Sequence, residues 1–361
     1  QMLDAARTAG NTNDLRGKIL RVKPRDKGGY TIPKGNLFKP GTKKTRPEIY
    51  AMGFRNPFRF TVDPKTGDVH VSDYGPDRGA PTTDRGPEGL VEYNVIKKPG
   101  NFGWPFCHGN NQAYAPYDPD TQKPGPKFDC AKPVNPSPNN TGLKDLPPLT
   151  LPEVWYGYGA SKEFPEMGTG GSAPMSGPVY RYDPKNPSKT KFPQYFDGAN
   201  FFYEWARDSV KEMRFDDSGK LLKINDFLKS AKFAKPMDMT FGPDGSLYVL
   251  EWGSEFGGGN NDSGLYRIDY AQGQRIPIAK AKASAARETE AAKPTRKLTV
   301  FPSNETWVCA WAKGAIREGV CFVATSSASV VPTIGAALKP YVPQPQLTRK
   351  PSTSVTPRIG L

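Results

Sequence analysis

The chain has 361 residues, of which 36% are hydrophobic and 11% aromatic, enough for more than one domain and a substantial core. Its 37 glycines and 38 prolines exclude an architecture of long helices and point to a turn-rich β protein. The net charge of +14 sits mainly in residues 271–361, where 13 Lys and Arg meet 4 Glu and no Asp. Elsewhere the balance is close, so the basicity is that of a solvated surface and nucleic acid is not an expected partner.

At the start, Gln1–Arg7 lacks the apolar stretch of a secretory leader, so an extracellular protein here would be processed or cut short. "KILRVKP" (18–24), "PVYRYDP" (178–184) and "GLYRIDY" (264–270) alternate apolar residues with Arg, which predicts half-buried strands. "FTVDPKTGDVHVSDYG" (60–75) and "MTFGPDGSLYVLEWG" (239–253) read as strand, Asp/Gly turn, strand, and "MRFDDSGKLLKI" (213–224) is a looser copy. Hairpins recurring in this way predict a β-propeller, with a β-sandwich or irregular β domain as the alternative. Residues 97–177, rich in Pro, Asn and aromatics, read as an ordered loop elaboration over one face.

Cys107 and Cys130 flank a polar loop, which favours a disulfide and an oxidising compartment. Cys309–Cys321 is a weaker candidate pair. His70 alternates with valines in a predicted strand and reads as structural, while His108 adjoins Cys107 in a loop. Neither has a Ser, Cys or metal-ligand partner at a readable spacing. Carboxylates, arginines and backbone carbonyls remain as carriers of chemistry. A Gly75–Pro76 corner between Asp73 and Asp77 offers carbonyls to a calcium ion, or is an ordinary turn. Arg55, before Asn56–Pro57, could stabilise an anion, or pack on Phe54 or Phe58.

After residue 270 the character changes. Residues 271–298 read as an Ala/Lys-rich linker, and 299–361 as a tail of uncertain fold, largely disordered, with no clear strand alternation. The uncharged run 319–338 carries Pro332 and many hydroxyl residues, so no membrane span is expected.

"NTNDLRGKILRVKP", "EIYAMGFRNPFRF", "VSDYGPD", "PGNFGWPFC", "FDCAKPVNPSPNNTGL", "SGPVYRYD", "YEWARDSVKEM" and "PMDMTFGPDGSLYVLEWG" together resemble the glucose/sorbosone dehydrogenase family, in family order over roughly residues 5–275. The resemblance implies an all-β, six-bladed β-propeller of the quinoprotein sugar dehydrogenase type, here a partial propeller lacking N-terminal blades and spanning residues 1–270. It implies oxidation of a sugar or polyol by hydride transfer to pyrroloquinoline quinone with Ca2+, in a secreted or periplasmic protein. Arg55 and Asn56 match the pair beside the quinone, and Arg207 falls in the region of a basic residue for the cofactor's carboxylates. Gly75 and Pro76 match the calcium-binding carbonyls. Glu92, with the Phe102 carbonyl, matches ligands of a second, structural calcium. The family's general-base histidine precedes the first of these motifs, and His70 and His108 do not match it. Catalysis by this chain alone is therefore not expected, and a non-catalytic carbohydrate- or protein-binding propeller is the alternative.

Overall fold

The computed structural model describes residues 4–118, 120–257, 259–270, 306–310 and 320–325. The expected linker 271–298 and most of the expected tail lie outside these. The described residues are all-β, with four short 3-10 helices.

The chain opens with β1 (Lys18–Pro24), β2 (Tyr30–Thr31) and β3 (Ile49–Met52). It continues through β4 (Arg59–Val62), β5 (Val69–Asp73), β6 (Val91–Ile96) and β7 (Gly100–Asn101). Two small hairpins follow, β8 (Cys107–His108) with β9 (Gln112–Ala113), and β10 (Tyr117–Asp118) with β11 (Lys123–Pro124). Then come β12 (Val154–Tyr156), β13 (Pro174–Met175), β14 (Asn200–Glu204), β15 (Ser209–Phe215) and β16 (Leu221–Phe227). The last strands are β17 (Pro236–Phe241), β18 (Leu247–Glu251), β19 (Gly264–Ile268), β20 (Thr306–Ala310) and β21 (Val320–Thr325).

These strands form antiparallel meanders in chain order: β4-β5-β6-β12, then β13-β14-β15-β16, then β17-β18-β19. The expected hairpins are all present, and Gly67, Gly219 and Gly245 have φ of 80°, 91° and 75° at their turns. That conformation is open to glycine at little cost. "PVYRYDP" differs from expectation: it makes one isolated bridge, Val179 to Asn200, in place of a strand. Tyr180 exchanges backbone hydrogen bonds with Ala199 and Gly198, but the Tyr182 amide donates to the Asp197 carboxylate at 2.9 Å, so the ladder does not continue. The 97–177 segment is more than a covering loop, because its β12 completes the sheet of β6 and its β13 begins the next.

β20 and β21 lie within the tail read as lacking strands. β21 pairs with β1, Lys18 opposite Thr325 and Val22 opposite Cys321, extending the sheet β20-β21-β1-β3-β7. Cys309 and Cys321 are Cα partners in the β20–β21 ladder, but their side chains lie outside the description.

Apolar layers join successive sheets. Ile19 and Ala51 meet Phe60, Val69, Val71 and Ile96 between the first sheet and the second. Tyr93, Val95 and Val154 meet Phe202, Met213 and Ile224 between the second and third. Phe201, Tyr203 and Val210 meet Met239, Leu247 and Val249 between the third and fourth. Each fully buried large side chain contributes about 2 kcal/mol. Because both faces of the second sheet are covered, every residue of β5 and β6 is buried. His70 is part of this packing. Its Nδ1 lies 2.8 Å from the Tyr93 hydroxyl and its ring meets Phe215 edge-on, while burial pulls its pKa down to about 4.

Candidate functional site

The β4–β5–β6 sheet brings the two corners of the sequence together. After β3 the chain turns at Gly53, where φ is 82° and a Cβ would lie 2.6 Å from both Asn101 Oδ1 and the Gly103 amide nitrogen. This turn sends Phe54 into the core, stacked on Phe102 at 5.0 Å, and leaves the amides of Arg55 and Asn56 pointing at β5. Those amides donate to the two carboxylate oxygens of Asp73, at 2.9 and 2.6 Å. The Tyr74 amide donates back to the Asn56 carbonyl at 3.2 Å, and Arg55 Nη1 donates to the Tyr74 carbonyl at 3.4 Å. The Arg55–Asn56 corner is thus pinned to the residues just before Gly75–Pro76.

The second corner is held by close backbone packing. A Cβ on Gly75 would lie 1.6 Å from the Leu90 carbonyl oxygen, and one on Gly89 would lie 1.7 Å from that of Pro76. Leu90 and Gly89 lead into β6, so the corner is clamped to the next strand.

Asp73 and Glu92 are partners in the β5–β6 ladder, so their side chains share a sheet face, the one carrying Val69, Val71 and Ile96. Both carboxylates are buried. Burial pushes Asp73 up to about 7, against the pull of the two amides and the Arg55 charge. Burial, and then the nearby charge of Asp73, push Glu92 well above the ordinary carboxylate range. Glu92 Oε1 accepts from the Gly109 amide at 2.6 Å, and Oε2 accepts from Asn94 Nδ2 at 3.4 Å. His108 Nδ1 lies 3.0 Å from Glu92 Oε1. The imidazole is neutral at pH 7: burial pulls its pKa to about 4 despite the Leu90 carbonyl beside it. Asp73, Glu92 and His108 each offer an atom within 4.8 Å of the others.

Sequence reading singled out Glu92 as a calcium ligand and did not foresee His108 as its neighbour. A loop histidine beside a disulfide cysteine carries no spacing signal to a strand sixteen residues earlier. The disulfide itself is present: Cys107 is bonded to Cys130. Phe102 donates its amide to the Met52 carbonyl at 2.8 Å, and its buried ring belongs to the core.

Arg207 stands elsewhere, in a 3-10 turn after β14. Its guanidinium lies over the Tyr156 ring at 4.6 Å. Nε donates to the Gly171 carbonyl, Nη1 to those of Met167 and Gly168, and Nη2 to those of Gly157 and Gly170. All five N–H donors of the fork therefore meet backbone carbonyls. Lys235, before β17, lies over Trp205 and 3.8 Å from Asp208. The Met237 carbonyl accepts from Arg59 and from the Tyr203 hydroxyl.

Comparison with known proteins agrees with the family resemblance. Residues 3–141 match the family model described as Glucose / Sorbosone dehydrogenase. The HIPL2 protein of Arabidopsis thaliana is 33% identical over 118 residues, 29% of this chain and 15% of that protein. The HIPL1 protein of the same plant is 28% identical over 162 residues, 42% of this chain and 19% of that protein. The PQQ-bound aldose sugar dehydrogenase of Streptomyces coelicolor is a structural neighbour at 15% identity, with a TM-score of 0.40 over 72% of this chain and 54% of that one. The chain thus spans less than two thirds of each of these proteins.

Proposed function

We propose that residues 1–270 are part of a six-bladed quinoprotein-type β-propeller that serves a sugar or polyol dehydrogenase. The observation that carries this reading is the pinning of the Arg55–Asn56 corner, through Asp73, to the Gly75–Pro76 corner. The family match over residues 3–141 and the succession of antiparallel meanders support it.

The fit to the implied groups divides along the site. At the first corner Arg55 brings a guanidinium beside rigidly held backbone, suited to negative charge on an acceptor. Asn56 adds an amide side chain there. Gly75 and Pro76 would offer carbonyls to Ca2+, whereas at Glu92 the imidazole of His108, 3.0 Å away, fits an all-oxygen calcium shell poorly. At Arg207 the fit fails, since its donors are spent on the 157–171 loop. No cofactor contact is assigned to it. When bound, pyrroloquinoline quinone supplies a two-electron acceptor, and Arg55 would stabilise the charge it gains. Both histidines are buried, so neither is assigned as a base toward the sugar. The Cys107–Cys130 bond supports a secreted or periplasmic setting.

The test is retention of the quinone. With Ca2+ and pyrroloquinoline quinone added, the cofactor's absorbance should stay with the protein through gel filtration. Arg55→Ala should weaken that retention, and in any preparation that turns over sugar should slow it roughly a hundredfold. Retention unchanged by Arg55→Ala would refute the assignment. No retention at all would favour the second reading, a non-catalytic carbohydrate- or protein-binding propeller, which the engagement of Arg207 supports.

A further inference from the structure

We propose that Asp73, Glu92 and His108 form a buried site for one divalent cation of the zinc or manganese kind, which takes imidazole as well as carboxylate. The proposal rests on the side chains of β5, β6 and β8 and is independent of the quinone reading. It also departs from the expectation that Glu92 serves calcium.

Geometry supplies the site. The three ligand atoms lie within 4.8 Å of one another, and the residues are 0%, 1% and 1% exposed. The Asp73 oxygens each accept one backbone amide, and the Glu92 oxygens accept from Gly109 and Asn94. An ionised carboxylate oxygen has two acceptor positions, so capacity remains on both groups. Those donors fix the carboxylates as outer partners fix metal ligands. His108 supplies the second observation. Among the described residues neither of its ring nitrogens has a well-directed hydrogen bond, although Nδ1 is 3.0 Å from Glu92 Oε1 and the Leu90 carbonyl lies beside the ring. A buried, unsatisfied imidazole is costly. Two ligands on one tetrahedral zinc, with bonds of about 2.0–2.1 Å, stand about 3.3 Å apart, close to that separation.

Charge and ligand type narrow the occupant. Carboxylate ligands give up their protons when a metal binds, and two such groups with a neutral ring would balance the charge of a dication. Calcium favours an all-oxygen shell, whereas imidazole suits zinc and its transition-metal neighbours. The neighbouring Cys107–Cys130 bond anchors the backbone that carries His108, so the ring is held in place.

The experiment begins with untagged chain produced in medium containing Zn2+, Mn2+ and Ca2+ together and purified without chelator. Elemental analysis should find close to one equivalent of zinc or manganese. X-ray absorption of the bound metal in the unaltered protein should show one imidazole among oxygen ligands. His108→Gln and Glu92→Gln, with folding checked by near-UV circular dichroism, should each weaken binding by at least about tenfold. The chain's one other histidine, His70, is committed to Tyr93, so an imidazole signal identifies His108. Calcium as the bound ion, an all-oxygen shell, or no stoichiometric metal would overturn the proposal, whether or not the variants fold.

Discussion

Reducing the Cys107–Cys130 bond should lower stability by an amount that the chain length predicts. The cysteines are 23 residues apart, and closing such a loop removes about 3.4 kcal/mol of unfolded-state entropy. The native loop has contacts of its own. Phe106 meets Phe128 edge-on at 5.0 Å, and the Phe128 amide donates to the Tyr114 carbonyl at 2.9 Å. Both should hold the loop in place after reduction, so the effect falls on the unfolded state. The assay is urea unfolding followed by tryptophan fluorescence, with and without a phosphine reductant. With a slope of about 3 kcal/mol per molar urea, the midpoint should fall by about 1 M, and the slope should rise as the unfolded chain expands. The Cys107→Ala/Cys130→Ala double variant, unreduced, should match this and separate the effect from that of other cysteines. A midpoint shift below about 0.3 M would refute the entropic reasoning, as would loss of near-UV circular dichroism on reduction without urea.

Asp63, at the end of β4, accepts Arg181 Nε at 2.9 Å and Nη2, the Lys65 amide at 2.9 Å and the Thr66 hydroxyl. Burial raises its pKa, but these partners outweigh it and leave the group lowered, so its stabilisation is present above the unfolded carboxylate range and is lost as pH falls through the folded value. Asp63→Asn should cost about 2 kcal/mol at pH 7 and flatten acid unfolding below about pH 4; an unaltered acid limb counts against the pair. Arg207→Ala frees the carbonyls of Gly157, Met167, Gly168, Gly170 and Gly171 and should expose the 157–171 loop to limited proteolysis, a change that unaltered cleavage would rule out. Gly89→Ala forces a Cβ to 1.7 Å from the Pro76 carbonyl and should lower the melting temperature by several degrees, and a neutral result would mean that the corner yields easily.

What the sequence made legible was local. The turns at Gly67, Gly219 and Gly245 are encoded by adjacent residues, and their hairpins follow. The β4–β5 hairpin, itself legible, carries Asp73 back to the Arg55–Asn56 amides. Long-range partnerships were opaque. Nothing near Arg207 in sequence announces carbonyls 36 to 50 residues upstream. The "PVYRYDP" alternation has the right period, yet the Tyr182 amide goes to the Asp197 carboxylate in place of a neighbouring strand. The pairing of β21 with β1 joins residues about three hundred apart, beyond any local pattern.

One register pair underlies both readings of the site, and this allows them to be separated. Asp73 holds the Arg55–Asn56 amides while its ladder partner Glu92 faces His108. A change at Asp73 therefore disturbs the anion corner and the cation cluster together and cannot tell them apart. Arg55 meets Asp73 through its backbone amide, whereas His108 meets Glu92 through its ring. If the quinone reading holds and the metal reading fails, Arg55→Ala weakens quinone retention while His108→Gln leaves metal content unchanged. The reverse pattern is equally distinct, because a guanidinium on a backbone carbonyl contributes no ligand and a buried imidazole contributes no charge to the corner. Coupled loss in both variants would mean that the β5–β6 ladder transmits strain between the halves, which its closely packed Gly75–Leu90 and Pro76–Gly89 contacts make physically reasonable.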